Sequence, residues 1–176
     1  PRPRIAVPGP EQLADLDPAW WPAFERTVAR LEDAGAELVP IDLEPFLSAA
    51  RMLYQSSIVA ERYAAVGEFV SANPEVVDPT VRSIIEAAKD FPAHQLVTDR
   101  ERLDHLRLAA MAALGDADAL LLPTTTHHPT IAQVQADPIA VNSRLARTRT
   151  SAICSICARL PCPAGRRWTG TASGSA

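Results

Sequence analysis

An apolar run, a helical pattern and a second apolar run succeed one another within the first 43 residues, and that order limits the fold more than any other feature. Arg4-Ile5-Ala6-Val7-Pro8, followed by Gly9, reads as a strand. Pro18 to Ala34 reads as a helix: Asp17 can cap it, Pro18 takes the first helical position, and Gly35 comes just past its end. Phe24, Val28 and Leu31 recur within it at helical spacing. Glu37 to Leu43 is a second strand, which Pro40 marks as an edge candidate. Strand, helix and strand in so short a span suggest a right-handed βαβ unit.

Helices dominate the chain after Leu43. Phe46, Leu53, Ile58, Val59, Val66 and Phe69 suggest one helix from Pro45 to about Ala72, stopped by Asn73-Pro74. Asp78-Pro79 opens another, running to Asp90 with Val81, Ile84 and Ile85 inward, and a long helix runs from Pro92 to Leu114. Asp118 to Pro123 reads as a buried strand, Thr124 to Thr130 as a polar loop, and Asp137-Pro138 as the start of a turn or short helix. The pattern is that of an α/β protein.

Charge divides the chain. Residues 1–145 carry all 21 acids and 12 bases; residues 146–176 carry five arginines, no acid and all three cysteines. The total of −4 leaves no basic footprint for nucleic acid. No apolar stretch reaches the ~18 residues that a membrane span requires. The absence of cysteine before residue 154 points to a reducing cytoplasm. The chain starts at Pro1, with methionine only at positions 52 and 111, so a processed N-terminus or a piece of something longer is expected.

Most reactive-looking groups have plainer readings. Cys154 and Cys157 have zinc or redox spacing, but no second pair completes a site, and they read as coincidental cysteines of the tail. Adjacent His127 and His128 point to opposite sides of an extended chain and read as polar loop. Asp116 and Asp118 read as a helix-to-strand turn, His94 and His105 as solvated surface, and Ser56 and Ser57 as helix-face serines with no base or oxyanion hole beside them. No metal or cofactor is expected. Tyr54 and Arg62 are more suggestive: eight apart on one expected helix, they lie about 80° apart around it and about 12 Å along it. Arg can hold a carboxylate with two parallel hydrogen bonds and a Tyr hydroxyl can add a third. The alternative is a surface Arg beside a semi-buried Tyr.

Leu53-Tyr54-Gln55 and Val59-Ala60-Glu61-Arg62-Tyr63-Ala64-Ala65 resemble a segment of the allophanate hydrolases, within the amidase signature family. Similar in the same order are 81–86, Ala119 to Thr124, Pro129 to Val134, and Ala136 to Leu145, the run around Asn142 being the most specific. The resemblance spans residues 4–145 and implies the C-terminal portion of an amidase-signature domain. It implies a mixed sheet with flanking helices, incomplete without the N-terminal half. It also implies hydrolysis of an amide, allophanate, by acyl transfer without metal or cofactor. On this resemblance Tyr54 and Arg62 bind the substrate carboxylate. The family's catalytic serine, cis-serine and lysine, with a glycine/serine-rich oxyanion loop, precede the matched region, so no catalytic residue is assigned. Lys89 is the sole lysine, and it lies on an amphipathic helix. Ser56-Ser57-Ile58 departs from the Gly-Pro-Trp-like residues expected there.

After Leu145 the likeness stops. The family continues roughly Gly-Thr-Tyr-Thr-Asn-Phe, whereas this chain has Ala146-Arg147-Thr148-Arg149-Thr150-Ser151. Read one base earlier, the codons of Ala146, Arg147, Thr148 and Arg149 allow Gly, Thr, Tyr and Thr. A one-base frameshift, biological or a sequencing error, accounts for the tail, and residues 146–176 are expected to be disordered. The resulting expectation is a fragment of an amide hydrolase of urea degradation, inactive alone and prone to self-association, whose partner is a small amide or carboxylate. The alternatives are a non-catalytic carboxylate-binding module, a degraded gene product, or a subunit completed by a separate chain that carries the triad.

Overall fold

The computed structural model describes residues 2–156. It is an α/β structure with a small parallel sheet and a predominantly helical remainder. β1 (Arg4–Pro8) lies between β2 (Glu37–Ile41) and β3 (Ala119–Leu120), giving the order β2-β1-β3. Ile5 pairs with Leu38 on one side and with Ala119 on the other, all in parallel register. Pro40 thus stands on an edge strand, where its missing N–H costs least.

β3 is shorter than the expected run of residues 118–123. Leu121 N–H donates to the Ala6 carbonyl at 2.9 Å, but the next parallel bond would need an N–H from Pro8, which has none. The turn into β3 is closed by acids. Asp118 accepts from Arg4 N–H at 2.8 Å, and Asp116 pairs with the Arg4 guanidinium.

The connection from β1 to β2 is α1 (Trp21–Asp33), entered through a one-turn 3₁₀ helix at Pro18–Trp20. Asp17 caps that turn by accepting from Ala19 N–H at 2.9 Å. Gly35, past the end of α1, has φ of 91°, a left-handed conformation that favours glycine. The remaining helices are α2 (Glu44–Gln55), α3 (Val59–Ala72), α4 (Pro79–Glu86), α5 (Ala93–Leu114), α6 (Ile131–Ala136) and α7 (Pro138–Ile156). Asp78 caps α4 by accepting from Thr80 and Val81 N–H at 2.9 and 3.2 Å.

The core gathers Ala6 and Ile41 of the sheet, Leu13 and Leu16, Leu43, Phe46 and Leu47 at the start of α2, and Ala110 of α5. Phe46 and Leu43 are completely buried. Other apolar residues expected to face inward do not. Ile85 is buried, whereas Val81, Val66 and Phe69 are exposed, Phe69 at 59%.

Two expectations are corrected. The span from Pro45 to Ala72 is two helices, because Ser56 is extended, with φ of −139° and ψ of 173°. Its hydroxyl donates back to the Met52 carbonyl at 2.7 Å and accepts from Ile58 N–H at 3.3 Å, so one side chain serves both new helix ends. Residues 146–156, expected to be disordered, form the second half of α7. Arg147 pairs with Asp15, and buried Thr148 donates to the Pro123 carbonyl at 2.7 Å. These long-range contacts favour helix where composition gave no periodic signal. Cys157 and Cys162 lie outside the described residues.

Candidate functional site

Tyr54 and Arg62 sit on either side of the break between α2 and α3. Tyr54 is the penultimate residue of α2, and Arg62 lies in the first turn of α3. The straight-helix separation expected from sequence therefore does not apply: the joint at 56–58 sets their relation. Arg62 is half-buried.

Both serines of the joint are buried rather than on a helix face. Ser57 is 1% exposed, and its N–H and hydroxyl both donate to Oδ2 of Asp99, at 2.9 and 2.6 Å. Asp99 belongs to α5 and is 7% exposed. The next residue, Arg100, pairs with Glu61 of α3 at 3.2 Å, so α5 contacts the chain at two points just before Arg62. Asp99 was not singled out from sequence. The available signal was its place on the inward stripe of α5 with Leu103, Leu106 and Ala110, where an acid needs a partner.

A cavity of about 330 Å³ opens between α2 and α7, lined by Leu47, Arg51, Gln55, Asp15, Arg144 and Arg147. All three of its arginines are engaged, Arg144 by donating to the Asp15 carbonyl at 3.3 Å. Arg51 pairs with Glu44, whose carboxyl is held below the usual range by that guanidinium and by the Ser48 hydroxyl. Arg147 pairs with Asp15. Arg62 is not among the lining residues.

The other groups weighed from sequence lie apart from the α2–α3 joint. Buried Thr126 accepts Asp17 N–H on its carbonyl at 2.8 Å, and its hydroxyl donates to the Arg144 carbonyl at 3.3 Å. That hydroxyl also lies 3.2 Å from Nδ1 of His127. Burial, with the charge of Arg144 second, lowers the His127 pKa. His94, His105 and His128 are exposed. Among the described residues, no cluster of three or more His, Cys, Asp or Glu could hold a metal ion. Lys89 pairs with Glu86 at 3.2 Å and lies over the Tyr63 ring, 5.3 Å from its centre. Among the described residues, no helix is long and apolar enough to cross a membrane.

The Amidase family profile matches residues 2–163. The chain belongs to the amidase family. Urea amidolyase of Saccharomyces cerevisiae is 37% identical over 153 residues, 86% of this chain and 8% of the relative. The 2-amino-5-chloromuconic acid deaminase of Comamonas testosteroni is 28% identical over 127 residues, 72% of this chain and 28% of the relative. Kluyveromyces lactis allophanate hydrolase superposes with a TM-score of 0.74 at 30% identity, covering 88% of this chain and 25% of that one. The amidase likeness thus spans most of this chain but a quarter or less of the urea amidolyases and allophanate hydrolase it matches.

Proposed function

We propose that this chain is a fragment of an amide hydrolase acting on allophanate, in cytoplasmic urea degradation. In this reading it supplies substrate-carboxylate binding through Tyr54 and Arg62 and lacks the Ser-cisSer-Lys triad. The observation that carries the reading is the 37% identity to a urea amidolyase over 86% of the chain, a span that includes both residues' helices. An arginine and a tyrosine can together hold one carboxylate. The guanidinium gives two charge-assisted bonds and fixes the anion's plane, and the phenol adds a neutral donor. Such a site orients an amide; a nucleophile and oxyanion donors must come from elsewhere.

The purified chain therefore releases no ammonia from allophanate or simple amides. Ammonia release above the uncatalysed rate overturns the non-catalytic half of the proposal. We attribute residues 146–176 to a one-base shift of reading frame near Leu145, on the strength of their acid-free, arginine-rich composition. Resequencing the gene tests this, and an uninterrupted frame through Leu145 with no nearby indel contradicts it.

A further inference from the structure

We propose that Asp99 is a positioning residue: it anchors the α2–α3 joint and thereby fixes Arg62 relative to Tyr54. The inference rests on the carboxylate-binding reading of that pair.

The joint is a place where the backbone must be told where to go. Ser56 is extended, and Ile58, which opens α3, brings no capping side chain of its own. Two adjacent donors, the Ser57 N–H and hydroxyl, would be buried without partners if Asp99 were absent. Leaving such groups unsatisfied costs far more than a typical hydrogen bond contributes. The cost is avoided only while the joint stays seated on α5. Ser57 brings two donors to the joint, and both go to the same carboxylate oxygen. The Glu61–Arg100 pair points the same way, but both its side chains are more than half exposed, so it contributes little. Asp99 is the buried anchor, and Arg62 lies five residues beyond the serine it holds.

The test uses the whole chain, Asp99→Ala, Asp99→Asn, Ser57→Ala and the double variant Ser57→Ala/Asp99→Ala. Backbone amide residual dipolar couplings read the angle between α2 and α3, and calorimetry reads the affinity for malonate, a small dicarboxylate probe. In Asp99→Ala the angle is expected to change while couplings within β1, β2 and α1 keep their pattern, and malonate binding weakens by about tenfold or more. Asp99→Asn, which keeps one acceptor oxygen, restores part of the affinity. The double variant is no weaker than Asp99→Ala alone, because the two residues act as one unit. An unchanged angle in folded Asp99→Ala, or in Asp99→Asn and Ser57→Ala together if the alanine variant does not fold, overturns the proposal. So do affinity losses that simply add. Absence of malonate binding in the parent chain overturns the carboxylate reading of Tyr54 and Arg62, while the dipolar couplings still decide whether Asp99 anchors the joint.

Discussion

Thr148 donates its hydroxyl to the carbonyl of Pro123 at 2.7 Å and is 2% exposed. This bond ties α7 to the segment leaving β3, from a residue that the Amidase family profile still covers. The stretch just beyond Leu145 is thus integrated into the fold. Replacing Thr148 with Val leaves the Pro123 carbonyl without this partner and should cost about 1 kcal/mol, read as a lower midpoint in urea unfolding at unchanged slope.

The core should respond more strongly than the exposed apolar face. Phe46 is completely buried in the core cluster, whereas Phe69 is 59% exposed. Phe46→Ala is expected to destabilise by about 3–5 kcal/mol, and Phe69→Ala by no more than about 0.5 kcal/mol. Denaturant titrations of the two variants side by side check the contrast.

Exposed apolar side chains set solution behaviour. Val66 and Phe69 on α3 lie in the open, with Leu108 and Met111 on α5 and Ile131 on α6. Apolar side chains left exposed in this number favour association. Sedimentation velocity should show a weight-average mass that rises with concentration, and Phe69→Ser should reduce that rise. A monomer at every concentration contradicts the expectation.

His127 gives stability a pH dependence of known sign. Its folded-state pKa lies below the ordinary 6.5, chiefly because of burial and then the charge of Arg144. The unfolded chain therefore takes up the proton first. The neutral ring's contribution is complete above about 6.5 and is lost as pH falls toward the lowered folded value. Unfolding midpoints measured from pH 7.5 down to 5 should fall, and His127→Gln should flatten that part of the curve.

The elements with a strong local signal were legible in the sequence. The Asp17-Pro18 start, the Gly35 stop and the two short apolar runs marked β1, α1 and β2, because caps and breakers act through the backbone of their immediate neighbours. The break at Ser56 was not legible, because the apolar spacing runs on through the joint. The turn is closed there by the Ser56 hydroxyl and by bonds from Ser57 to Asp99, 42 residues away in the chain. The same holds for residues 146–156, whose helix is fixed by contacts to Asp15 and Pro123 that no local pattern announces. Tyr54 and Arg62 were singled out by residue type, but the geometry assigned to them assumed a straight helix and had to be replaced.

Reception of a carboxylate by Arg62 and Tyr54 is decided by calorimetric titration of malonate into the parent chain, Arg62→Ala and Tyr54→Phe. One-to-one binding is expected in the parent chain, weakened in Tyr54→Phe and lost in Arg62→Ala with the thermal melt retained. No binding by the parent chain, or equal affinity in Arg62→Ala, contradicts it.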